Sequence, residues 1–207
     1  MKKYELTSET KVINGVELHR IKALKSFGNI KEGDLGGWIE SEKNLSQDGD
    51  AWVGRNAKVR GNAWVGYNAR VDRDATVRGN ATVSGNAKVR GNATISGNAI
   101  VSGNATISGN ATINGDATIS GNATVRGKED FIVFKNWWSS GRYFTWTRSN
   151  NKWKVGCFMG TGEELIAKAY KDSAKSGREY ERVVKYVNDI LKEEEDNDNG
   201  NRNKCED

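Results

Sequence analysis

From residue 49 to residue 126 the chain alternates apolar and polar positions with a strict period of six. One column is aliphatic at every step: Val53, Val59, Val65, Val71, Val77, Val83, Val89, Ile95, Val101, Ile107, Ile113, Ile119 and Val125. Two places before each stands alanine, before each alanine Asn or Asp, and before most of those Gly, so a typical unit reads Gly-Asn-Ala-Thr-Ile-Ser. A sustained short repeat of this kind outranks any local reading of secondary structure. The β-branched residue points inward from a strand of about three residues while its neighbours, such as Thr94 and Ser96, point outward. Gly and Asn tolerate the left-handed backbone of a sharp corner, and Ala fits inside it. Three strands and three corners close one triangular coil of eighteen residues, and coils stack at roughly 4.8 Å. Thirteen units predict a prism of a little over four coils with three internal ladders.

The flanks follow other patterns. Lys11 to Arg20 alternates around Asn14-Gly15, which predicts a hairpin in an N-terminal cap over residues 1–48. After Arg126 the period stops. Phe131 to Trp138, Arg142 to Arg148 and Lys152 to Phe158 predict a three-stranded meander, with Ser149-Asn150-Asn151 as one turn. Thr161 with Glu164 and Ser176 with Glu179 predict capping boxes for two helices, the second presenting Tyr180, Val183, Val184, Val187, Ile190 and Leu191 on one face. This α+β module spans 127–192, and the acidic, Asn-rich residues 193–207 are expected to be a disordered tail. Trp52 and Trp64 occupy outward positions in the first coil and are expected to be covered by the N-terminal cap or, as the alternative, by a subunit interface.

The hexads, with pairs such as Ile95 and Ala99, resemble the left-handed parallel β-helix of the hexapeptide-repeat superfamily. The stretch Gly33 to Ser46 running into Asp50-Ala51-Trp52-Val53 resembles bacterial and phage β-helix proteins usually labelled as transferases, and the Gly156 to Leu165 run resembles C-terminal segments of such phage proteins. The resemblance implies a mainly β fold, a trimer of parallel prisms, and residence in the host bacterial cytoplasm if phage-encoded. Acyltransferases of the superfamily typically use a histidine base and a loop inserted into the helix. Here the repeats contain neither; the single histidine, His19, belongs to the hairpin, where it reads as a surface or half-buried strand residue.

Composition narrows the chemistry further. Twenty-four glycines with no proline fit a corner repeated many times, each coil needing its backbone donors. There is no apolar run long enough to span a membrane and no signal-peptide core after Lys2-Lys3, so a cytoplasmic location is expected. Cys157 and Cys205 suggest neither a disulfide framework nor a metal site, and Cys157 is expected to be buried as a small hydrophobe. No cofactor motif is present.

The net charge of +5 lies on the prism: residues 49–126 carry nine basic and four acidic side chains, whereas the flanks are balanced. Folding the repeat stacks Arg60 on Arg78 and, at the adjoining corner, Arg55 on Arg73, with Lys58 beside them; a second face carries Arg70, Lys88 and Arg90. Arg55, Tyr67 and Arg73 replace the corner Gly that ten other units keep, so their side chains protrude. In the C-terminal module Trp137, Trp138, Arg142, Tyr143, Trp146 and Arg148 interleave rings and cations, a pattern suited to base stacking but equally to a small aromatic core. The outward Thr and Ser of later coils are spread over three faces, unlike a single ice-binding ladder. These features together predict a non-enzymatic binding protein, a phage accessory factor that sequesters a host protein or an anionic small molecule such as a nucleotide signal and so counters host defence. An acyltransferase and a nucleic-acid-binding protein are the alternatives.

Overall fold

The computed structural model describes residues 2–202, with side chains to residue 197. In chain order the strands are β1 (Tyr4–Ile13), β2 (Val16–Ala23) and β3 (Leu35–Ile39), then thirteen two-residue strands, β4 to β16, from Trp52–Val53 to Thr124–Val125. There follow β17 (Phe131–Lys135), β18 (Tyr143–Thr147), β19 (Lys152–Val155), β20 (Phe158–Gly160), α1 (Gly162–Asp172) and α2 (Ala174–Arg202).

The hexads form a parallel β-solenoid of about five turns. Every strand pairs in parallel with the strands eighteen residues away, as Val71 with Val89 and Val89 with Ile107. The aliphatic column and the alanine column are both buried to within 1% along the whole run, so the interior is a stack of Val, Ile and Ala layers. All thirteen corner residues take positive φ, and a Cβ at a corner such as Gly97 would sit 2.8 Å from the Gly115 nitrogen of the next coil. Asparagines at the corners add a second ladder: Asn62 donates to Asn80, Asn80 to Asn98, and Asn98 to Asp116, at 3.0 to 3.1 Å.

The solenoid begins earlier than the hexad count implies. Trp38 and Ile39 pair in parallel with Lys58 and Val59, and Leu45 bridges Val65. Residues 35–46 are therefore the first coil rather than part of a cap. Leu45 stands eight residues before Val53 instead of six, and those two extra residues hide the coil from a six-residue count. Two of the three ladders gain a member from this coil, giving Ile39, Val59, Val77, Ile95 and Ile113 on one and Leu45, Val65, Val83, Val101 and Ile119 on another. The hairpin β1–β2 turns at Asn14 and Gly15, both at positive φ, and joins β3 antiparallel, so it widens one solenoid face into a seven-stranded sheet. A register shift between Arg20 and Lys22 explains why Leu18 and Ile21 are both buried although strict alternation would separate them.

Around each strand the outward residue and the residue after the inward one donate their N–H groups to carbonyls of the following coil, as Thr94 to Ala111 at 2.9 Å and Ser96 to Ile113 at 2.8 Å. Where this series of bonds ends, the N-terminal end is left with carbonyls and the C-terminal end with N–H groups. At the first end the buried Lys3 ammonium donates to the carbonyls of Asp48, Gly49 and Ala51, and the Tyr4 hydroxyl to those of Glu42 and Leu45. At the other end Thr118 N–H donates to Thr145 Oγ1 at 3.0 Å, Thr124 N–H to Ser149 Oγ at 2.7 Å, and Arg126 N–H to Asp130 Oδ2 at 2.6 Å. Phe131 and Val133 cover the apolar interior there.

The C-terminal module differs from expectation in four respects. Its sheet has four strands, because Gly156, at positive φ, breaks the run 152–158 into the hairpin β19–β20. That turn exposes Cys157, which is not buried. Helix α2 starts at Ala174 rather than at Ser176, whose N–H donates to Ser173 Oγ, while Thr161 and Glu164 make the capping box of α1. Finally, α2 runs to Arg202 through residues expected to be disordered: its glutamates favour helix, and Glu194 receives both terminal nitrogens of Arg148 at 2.6 and 3.2 Å. The remainder of that tail, with Cys205, lies outside the described residues.

Two predictions follow from the capped ends. Thr145→Val removes the acceptor of Thr118 N–H at constant shape and should lower stability by about 1–3 kcal/mol, whereas Thr94→Val in mid-face should change it by less than about 0.5 kcal/mol, as read by denaturant unfolding. Burial depresses the Lys3 ammonium from 10.5 to about 8, against the opposing pull of Asp50 and Asp48. Between those values the unfolded chain holds a proton that the folded chain has released, so stability should rise from pH 8 toward pH 10, by on the order of 2 kcal/mol. A pH series of unfolding midpoints should show this rise in the native chain and a flatter profile in Lys3→Met.

Candidate functional site

A groove of about 530 Å³ lies where the 24–34 loop folds against the five-stranded face. Its lining includes Arg55, Arg70, Lys88, Asp34, Asp72 and Trp52. The repeat positions them: Trp52, Arg70 and Lys88 share one outward column because their strands pair in register, and Arg55 and Asp72 flank that column. Trp52 is only 4% exposed, held edge to face against Phe27 at 5.5 Å, so it forms the floor rather than a stacking platform. The loop approaches closely at Gly28, where a Cβ would lie 2.9 Å from Arg70 Nη2. Burial lowers the pKa of the Arg70 guanidinium, with Asp50 and Asp72 pulling the other way. Arg55 Nε lies 3.6 Å from Asp72 Oδ1 in an exposed pair.

The sequence-predicted residues divide into groups. Arg55 is in this groove, at φ +52°. Arg73, at φ +64°, stacks on it eighteen residues further on. Lys58, Arg60 and Arg78 belong to the seven-stranded face, where Lys58 pairs with Trp38 and Thr76. Tyr67, at φ +58°, stands at another corner beside Trp64. The six residues of the C-terminal module sit beyond the last coil, roughly three strand spacings from Arg73. There Trp138 and Trp146 are core residues at 8% and 1% exposure, Arg148 clamps Glu194, and only Trp137, Arg142 and Tyr143 are open to solvent. Rings and cations therefore form no continuous surface with the solenoid arginines.

Arg70 and Lys88, in the repeat's second charged face, complete the groove, and the 24–34 loop that walls it carries no repeat signal by which to place it. Trp52 is covered by this loop and by Gly36 of the first coil, while Trp64 stays half exposed. His19 pairs across to Thr10 and Ile39 in the middle of the widened sheet and lines none of the described grooves.

These coils and their grooves define a β-helix repeat protein. A family model described as the YdcK beta solenoid repeat matches residues 105–121, and this match and the five-turn parallel solenoid fit a β-helix repeat superfamily. No curated protein matches the chain.

Three corners hold an L-residue in the left-handed region where the other ten use Gly, and all three lie in the early coils. Such a residue costs about 1 kcal/mol relative to an unstrained one. Arg55→Gly should therefore raise stability, by up to about 1 kcal/mol, since the exposed pair with Asp72 contributes little. A shift of the denaturant midpoint to higher concentration is the expected readout.

Proposed function

We propose that this is a non-enzymatic binding protein whose first coils present a cationic groove to the phosphate or carboxylate groups of an anionic small molecule. The observation that carries this reading is the retention of Arg55 in a strained corner conformation where it joins Arg70 and Lys88 around one groove. Three cations face two carboxylates there, and the low polarity beside Trp52 strengthens any charge-assisted hydrogen bond that Arg70 makes. A rigid solenoid suits this role because the lining side chains stand on paired strands and lose little freedom on binding. Sequestration of a nucleotide signal is the specific case we favour, with the groove taking its phosphates and the buried Trp52 leaving the base unrecognised by stacking.

Calorimetry with pyrophosphate and with a nucleoside triphosphate tests the reading. Both should bind without turnover, Lys88→Ala and Arg55→Gly should each weaken binding by about three- to tenfold, and affinity should fall as salt is raised. Absence of pyrophosphate binding, or acetyl transfer from coenzyme A by the purified protein, would overturn it.

A further inference from the structure

A second groove, of about 340 Å³, lies at the neighbouring corner, and its chemistry is the reverse of the first. It is lined by Ser46, Asp48, Gly49, Trp64, Tyr67 and Asn68, so Asp48 is its one formally charged side chain. Trp64 stands outward from its strand, and its indole lies across Gly66: a Cβ there would overlap the six-membered ring, so the absence of a side chain is what lets the indole rest on the solenoid face. Tyr67 is 65% exposed and held at φ +58°, its ring centroid 5.9 Å from that of Trp64 at an interplanar angle of 85°.

The polar rim is partly committed already. Ser46 Oγ accepts from Asp48 N–H, and the Asn68 amide donates to Asn86 and accepts from Asp50 N–H. Lys3, beneath the corner, directs its ammonium to the carbonyls of Asp48, Gly49 and Ala51. Among the described residues the Asp48 carboxylate and the Tyr67 hydroxyl have no hydrogen-bond partner, and they border two perpendicular aromatic rings. A phosphate would meet a carboxylate and two aromatic rings, with no cation among the lining residues. An organic cation would meet attraction from the carboxylate and the rings, set against the buried Lys3 ammonium that Asp48 also attracts from beneath the corner.

We propose that the Trp64–Tyr67 corner binds an organic cation of the quaternary or methylated ammonium class, the two rings supplying cation–π contacts and Asp48 the counter-charge. The strained corner at Tyr67 then has the same explanation as Arg55, a side chain kept for what it contacts. This proposal stands apart from the anion groove, since the two share no lining residue.

Choline and its neutral isostere 3,3-dimethylbutan-1-ol, titrated into the full chain and followed through the tryptophan indole N–H resonances, distinguish a cation site from a merely apolar one. Choline should bind at least about fivefold more tightly than the alcohol. Tyr67→Gly and Asp48→Asn should each weaken choline by at least about threefold, Trp64→Thr should remove binding, and Tyr67→Phe should retain it. Tyr67→Gly places at this corner the residue that ten other corners carry, and an unchanged unfolding midpoint or a higher one certifies its fold. Equal affinity for choline and the alcohol, or choline binding unaffected by Tyr67→Gly and Asp48→Asn, would overturn the proposal.

Discussion

Each coil of this protein satisfies the N–H groups on either side of its inward column with carbonyls of the next coil, and that dependence governs what surrounds the repeat. Among the hexad coils the condition is met automatically, because they share one length and one left-handed corner conformation. At the ends it is not, and the flanking segments are chemically opposite for that reason. The N-terminal segment brings donors, the Lys3 ammonium and the Tyr4 hydroxyl, to orphaned carbonyls. The C-terminal segment brings acceptors, Thr145, Ser149 and Asp130, to orphaned N–H groups. Asn44 shows the same economy within the first coil: its own N–H is diverted into a short 3₁₀ turn, and its side-chain amide takes over by donating to the carbonyls of Gly61 and Ala63.

A regular prism has little to recognise a ligand with, since identical coils present identical surfaces. Specific chemistry arises where the repeat is broken: at Arg55, Tyr67 and Arg73, at the outward Trp52 and Trp64, and at the 24–34 loop. These irregularities gather in the first coils, and the later coils return to Gly, Thr and Ser. The two early grooves are built from them, with cations in one and rings and a carboxylate in the other. Strain at a non-glycine corner is tolerable because the neighbouring coils fix the backbone there regardless of the side chain.

The hexads made the solenoid legible because their constraint is local and repeated: a β-branched residue inward, an alanine in the corner and a left-handed residue before it recur too often to mean anything else. The first coil was hidden for an equally local reason, the two additional residues between Leu45 and Val53. Likewise the expected burial of Cys157 failed because a single glycine, Gly156, turned one strand into a hairpin. Among the candidate residues, Arg55 could be found as an exception to the repeat, and Arg70 and Lys88 as a charged column. Their joining into a groove could not, since it depends on a loop whose sequence has no period.

By itself, then, the sequence determined the coil, its ladders, the location of its positive charge and the identity of the residues that depart from the pattern, all of which follow from spacing along the chain. Only the tertiary structure decided which departures meet. Trp146 and Trp138 went into a core and Arg148 into a clamp on Glu194, whereas Tyr67 was left open beside Trp64. The physical reason is that burial is settled by the segments that must cap the ends of the solenoid. Where those segments fold back is set by unpaired backbone groups far away in sequence, not by the residues they happen to cover or expose.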